Sequence, residues 1–409
     1  MGDLTSMTSM TSMTSMTSMT SMTSMTSMTS MLRGNAAAIG ELAGLSGDPL
    51  LADAMMRARA RQLPATDGWV PARGGKFTGD CFPVGNAADF DACQPEVRAF
   101  LAVQELLSDL GMKVDPPTST SGAAVHLYRD EPVEPGDKRA QLTALFDATT
   151  YPVKRQPIAS ITCPKRVVFA QGWQLEQVTD LGRADNRRAR APEILTQVLP
   201  QVPYWASVVP LTPWRTRRSY EFIGIALHFG MLACHRIKQA LAVPRPCDFS
   251  VKVQPLLQTP GWAAFPSGHA TEAFMFARLA RALLKQDAAQ PLDQALQLQA
   301  EGIARNRVYA GLHFPIDGSA GRLLGETLAE YVLAACGAAP WFARGFVGDA
   351  AGIESADLDL QQPIAPGQAD PRTWYVIDST PASFTAPQPL LKYLWGEARK
   401  EWIAVGFPA

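Results

Sequence analysis

Residues 265–284, FPSGHATEAFMFARLARALL, join a helix start to an apolar helical stripe. Ser267 is a side chain suited to an N-cap, and Phe274, Ala277, Leu283 and Leu284 then recur on one helical face. Pro266-Ser267-Gly268-His269 therefore falls at a helix N-terminus, where free backbone N–H groups and the helix dipole attract anions. Glycine at 268 lets such an anion come close to the backbone.

Outward from this stretch the chain reads as helical. Residues 220–241 form one apolar-rich segment, stopped by Pro244 and Pro246. Residues 292–309 form another. A further helix starts at Pro315, a residue suited to the first helical position, and runs to about Cys336 through Leu324, Leu328 and Tyr331. Four helices with modest loops predict an all-α fold, a helical bundle over residues 216–345. Residues 32–215 form an N-terminal helical and irregular region. It holds predicted helices at 32–62 and 95–110, a poorly patterned stretch from Gly68 to Lys165, and a Pro- and Trp-rich wrapped connection at 192–215. Residues 346–409 form a C-terminal extension with a short helix near Leu390 to Trp402.

Residues 1–31 stand apart. From Thr5 to Met31 the chain is a run of Thr-Ser-Met triplets, whose three-residue period fits neither helix nor strand. It reads as a disordered low-complexity tail, and Met31 reads as an alternative start. The tail lacks the charged and apolar regions of a signal peptide, and no run of about eighteen apolar residues predicts a membrane span. A cytoplasmic location is the expectation. Six cysteines without CxxC pairs agree with it, although a Cys81–Cys93 bridge is compatible with the spacing. A net charge of -1 over 409 residues carries no footprint for nucleic acid.

The chemistry-bearing residues fall in three pieces: Lys238-x6-Arg245-Pro246, Pro266-Ser267-Gly268-His269, and Arg307-x5-His313-x3-Asp317. A tetrahedral oxyanion needs cations that do not titrate away, and Lys238, Arg245 and Arg307 supply them. Ser267 and the Gly268 N–H add donors at the helix start. His313 can attack or coordinate the central atom, while His269 can move a proton at the opposite apex. Asp317, one helical turn beyond His313, is placed to accept the other ring N–H and fix the tautomer. His126, His228 and His235 are assigned no chemistry.

These three pieces resemble the signature of the type 2 phosphatidic acid phosphatase (PAP2) and vanadium haloperoxidase superfamily, over roughly residues 220–340. The resemblance implies an all-α bundle and a pocket of Lys238, Arg245, Ser267, Gly268, His269, Arg307 and His313. Asn306 departs from the serine that many members carry before the third-motif arginine. Two activities follow from the resemblance. In a haloperoxidase, His313 ligates vanadate, His269 acts as acid and base, and hydrogen peroxide and halide are the reactants. In a soluble phosphatase with no cofactor, His313 forms a phosphohistidine with a phosphate monoester. The lack of membrane spans, the long N-terminal region and the loop between Pro246 and Pro266 incline the expectation to the peroxidase, with Trp262 as the contact on the halide side. A non-catalytic phosphate-binding protein would need the cations but not both histidines.

Overall fold

The computed structural model describes residues 90–91, 93, 95–132, 153–198, 201–285, 291–359 and 372–408. The Thr-Ser-Met run, the predicted helix at 32–62 and Cys81 lie outside them.

The described chain opens with α1 (Pro95–Ser108), followed by β1 (Leu110–Asp115), β2 (Ala124–Pro132) and β3 (Val153–Thr162). Short helices come next: α2 (Arg166–Ala170), α3 (Trp173–Leu181), α4 (Ala184–Arg188), α5 (Ala191–Thr196) and α6 (Val202–Ala206). The long helices are α7 (Arg217–Leu241), α9 (Gly268–Leu283), α10 (Pro291–Tyr309) and α11 (Pro315–Ala335), with the one-turn α8 (Pro246–Phe249) between the first two. Strands β4 (Trp341–Phe346) and β5 (Tyr375–Ala382) and helix α12 (Pro389–Ala404) complete the fold. The helices expected from sequence within the described residues are present to within a few residues at each end.

The all-α expectation is wrong. Five strands form one mixed sheet in the order β1-β2-β3-β4-β5, so the chain is α/β. Pairing is antiparallel except between β3 and β4, which run parallel with Ser160 opposite Gly345. Parallel neighbours require a crossover. Here the crossover is the entire helical region from α2 to α11. Two physical features hide the strands in the sequence. They are set among prolines and glycines, and charged residues occupy inward positions where alternation calls for apolar ones. Val125 and Leu127 of β2 are buried, but the next inward residue is Arg129, itself buried. On β4 the inward Arg344 does the same, donating to Glu330 of α11 at 2.7 and 2.9 Å. That buried ion pair ties the sheet to the bundle. On the other face, His126 bridges Asp115 and Ser160 at 3.0 Å each, a cross-strand polar ladder over three strands. Its carboxylate and imidazole are both partly open to solvent, so the contact is screened and weak.

Helix α11 is buried along its whole length, and the charged stripe it carries, Arg322, Glu326 and Glu330, is paired within the fold. Helices α9, α10 and α7 pack around it or around each other, and α12 lies against α7. Glu401 of α12 caps the start of α7 by accepting from the Arg218 and Ser219 N–H groups at 2.7 and 2.9 Å. The C-terminal segment thus supplies a cap that Thr216, the local N-cap residue, does not.

Candidate functional site

The motif spacings are consequences of helix ends. Lys238 lies in the last turn of α7, which stops at Ala242 in the left-handed conformation with its N–H on the Lys238 carbonyl. Arg245 follows in extended backbone, with Pro246 as the first residue of α8. Arg307 lies in the last turn of α10. Gly311, at φ +73°, reverses the chain there, and Leu312 N–H returns to the Arg307 carbonyl at 3.1 Å. His313 is therefore brought back beside Arg307, just before α11 begins. Ser267 caps α9 through the Ala270 N–H, and its own N–H donates to the Asp317 carbonyl at 2.9 Å. The second and third motifs are thereby joined backbone to backbone.

Lys238, Arg245, Gly268, His269, Arg307, His313 and Trp262 line one cavity of about 60 Å³. At roughly 10–15 Å³ per water-sized occupant, that is room for a body with four oxygens. Ser267 is buried and engaged as a cap rather than lining the cavity, and Asp317 stands behind His313. A Cβ added at Gly268 would meet only Lys238 Cε, at 3.8 Å, so the backbone there is open to a ligand.

Each cation is held by uncharged acceptors. Lys238 Nζ donates to the Ala263 and Ala264 carbonyls at 2.9 and 2.6 Å. Arg245 donates to the Trp262 carbonyl at 3.1 Å, the Leu312 carbonyl at 3.0 Å and His313 Nε2 at 2.9 Å. Arg307 Nη2 donates to the Ile194 carbonyl at 3.2 Å and Gln197 Oε1 at 3.0 Å. Its Nε is buried and has no acceptor among the described residues. Burial works against all three charges, pushing Arg245 and Arg307 down to about 10 and the Lys238 ammonium below its usual range. Arginines remain charged even so.

The His313 ring has its tautomer set from both sides. Arg245 can only donate to Nε2, so the hydrogen is on Nδ1, which donates to Asp317 Oδ2 at 2.9 Å. The same carboxylate oxygen accepts from Phe314 N–H at 3.0 Å. Burial raises the Asp317 carboxyl, opposed by Lys238 and Arg245. His313 is held neutral by burial and then by Arg245 and Lys238, which leaves its Nε2 unprotonated at the cavity, with the lone pair accepting from Arg245. His269 Nε2 lies 3.3 Å from the Gln197 carbonyl and must donate to it, leaving Nδ1 as the basic nitrogen. Burial and the charge of Arg307 push His269 down to about 3.

Trp262 presents its indole with Leu257, Pro260 and Leu312 along the cavity wall, and its ring meets His235 edge-on at 5.4 Å. Gln197 and its neighbours are the residues that sequence reasoning missed. The segment read as a wrapped connection contains α5 and α6, and Trp205 of α6 stacks on Phe276 of α9 at 4.1 Å. Asn306 does not turn to the cavity. Its amide donates to Glu193 and Gln197, and Arg190 donates to its oxygen. An asparagine beside the motif arginine, with donors and an acceptor on one side chain, was the one available signal that another segment could meet it.

Residues 221–339 match the model of the PAP2 superfamily, so the resemblance carried by the three motifs stands over that segment. Among solved structures, one described as the first bacterial vanadium-dependent iodoperoxidase is similar at 17% identity, with a TM-score of 0.32. The match covers 39% of this chain and 47% of that one, so this chain spans about half of that protein's length. A transmembrane PAP2-type phosphatidylglycerolphosphate phosphatase from Bacillus subtilis is similar at 22% identity, with a TM-score of 0.24, over 38% of this chain and 71% of that one. No curated protein matches the chain. Among the described residues, no helix is long and apolar enough to cross a membrane.

Proposed function

We propose that this chain is an enzyme that works on a tetrahedral oxyanion held by Lys238, Arg245, Arg307 and the start of α9. One observation carries the reading. Three buried cations, hydrogen-bonded to uncharged acceptors, face a cavity the size of one oxyanion. Buried charges are normally paired, and here Asp317 offsets only part of the excess. A di- or trianion supplies the rest, and an acceptor for the orphaned Arg307 Nε as well.

The reaction proposed is peroxide-driven halide oxidation with vanadate as the resident oxyanion. The donor set fits: Lys238, Arg245, Arg307 and the Gly268 N–H would hold its oxygens, and His313 Nε2 its central atom. Vanadate bound there would supply the electrophilic centre that polarises peroxide. In the balanced reaction, halide loses two electrons to peroxide and the O–O bond breaks. One oxygen leaves in hypohalous acid and the other as water, with one proton consumed. His269 Nδ1 takes and returns protons, while Asp317 keeps His313 in the tautomer that presents its lone pair. The apolar wall of Trp262, Leu257 and Leu312 suits a large, weakly hydrated halide.

Phosphate monoester hydrolysis is the second reading, and the His313 tautomer supports it equally. With a bound anion drawing Arg245 away from Nε2, the same lone pair can attack phosphorus, and His269, its basicity raised by the anion's charge, delivers a proton to the departing alkoxide. One preparation distinguishes the two. Aryl phosphate hydrolysis is measured without vanadate, then peroxide-dependent halogenation of a reporter after vanadate loading. Halogenation is expected, and its loss in His313→Ala with helical content intact ties it to the pocket. Robust hydrolysis without halogenation would instead establish the phosphatase.

A further inference from the structure

Gln197, just after α5, is almost fully buried and touches both the cation and the base of the site. Its side-chain oxygen accepts from Arg307 Nη2 and from Asn306 Nδ2, each at 3.0 Å. Its backbone carbonyl holds His269 Nε2 at 3.3 Å. Two donors converging on Oε1 fix which way the amide faces. Asn306 is itself clamped by Glu193 at 2.8 Å and Arg190 at 3.2 Å, so the side chain it steadies has little freedom.

A buried arginine is more usually met by a carboxylate, which orients the guanidinium and cancels its charge together. The amide of Gln197 separates those effects, because it orients Arg307 and leaves the charge in place. Outside the pocket, Arg344 and Arg322 show the usual pairing, with Glu330 and Glu326 at 2.7 and 2.8 Å, while Arg399 donates to carbonyls. Two buried donors at the junction, Arg307 Nε and Gln197 Nε2, have no acceptor among the described residues. An acceptor-only ligand is what such a junction lacks.

We propose that Gln197 is a neutral partner that reserves the positive charge of Arg307 for the bound oxyanion, the guanidinium being held as well by the Ile194 carbonyl at 3.2 Å, an inference that rests on the oxyanion reading above. A glutamate there would convert the receptor arm into an internal salt bridge. The residue thus sets the preference of the pocket for multiply charged oxyanions.

The test is calorimetric titration of inorganic phosphate into the full chain at about pH 8, using wild type, Gln197→Glu and Gln197→Met. Gln197→Glu is expected to bind at least about tenfold more weakly, and Gln197→Met to stay within about threefold of wild type. A merely structural role predicts the reverse order, since glutamate keeps the acceptor for Arg307 and methionine loses it. Unchanged affinity in Gln197→Glu, or weaker binding by Gln197→Met than by Gln197→Glu, overturns the inference. Should Gln197→Glu fail to fold by thermal melting, Gln197→Met decides alone, a tenfold loss in the folded variant counting against it. A wild-type chain that binds no phosphate overturns the oxyanion reading itself, an outcome that needs no variant to be seen.

Discussion

His313 carries different duties on its two ring nitrogens, and the division depends on Asp317. The carboxylate accepts from Nδ1 at 2.9 Å, so the hydrogen is kept away from Nε2. Asp317→Asn offers an amide that can donate to Nδ1, which would move the ring hydrogen to Nε2 and direct it against Arg245 and the ligand. Turnover in that variant is expected to fall on the order of 10²- to 10⁴-fold, the scale of a wrong histidine tautomer in other enzymes. Steady-state kinetics with circular dichroism as the folding control measures it, and wild-type turnover would exclude the tautomer role. All of these residues except Gln197 were legible in the sequence, because each motif keeps a short spacing tied to a helix end. Gln197 was not. Nothing in a stretch of prolines and tryptophans indicates which glutamine will face an arginine more than a hundred positions away.

Among elements, the contact between α9 and α11 sets the cradle. Gly321 and Gly325, one turn apart on α11, lie against the α9 backbone. A Cβ at Gly321 would sit 2.6 Å from the Ser267 carbonyl oxygen, and one at Gly325 would press on the Thr271 carbonyl. These approaches are too close for any side chain, so the helices would have to separate. Gly325→Ala is expected to cost about 1–3 kcal/mol of stability by urea denaturation and to weaken anion binding by displacing the start of α9. Wild-type stability in that variant would show that the helices can slide without cost. The helices themselves were readable from their apolar periodicity and their Pro and Gly ends. Their spacing was not, since a glycine inside a helix looks like a weakness until its neighbour is known.

For the whole molecule, stability is expected to depend on pH through Glu272. It is buried on α9, its Oε1 has no partner among the described residues, and burial pushes its carboxyl up to about 8 from 4.5. The unfolded chain gives up this proton near the lower value and the folded chain near the higher one. Between them the folded state binds more protons, so stability falls as pH rises through that window, and the full penalty stands above it. Glu272→Gln is expected to be close to neutral at about pH 5 and stabilising by a few kcal/mol at about pH 9. Denaturation midpoints at the two pH values measure this, and a difference that does not change with pH would rule it out. The sheet belongs to this scale too. Its strands come from before and after the helical region, and the buried Glu330–Arg344 pair fastens it to α11.

From sequence alone came the helical region, its boundaries and the residues at its helix ends that are proposed to bind the anion. Those features depend on local spacing: 3.6-residue periodicity, caps and breakers, and cations within a turn of each terminus. Tertiary structure decided three other things. It showed a five-stranded sheet whose inward arginines interrupt the apolar alternation, and it turned Asn306 to a remote clamp. It also brought Gln197 to Arg307, giving that cation a neutral partner. Each depends on contacts between segments far apart in the chain, where no local pattern records which side chain meets which.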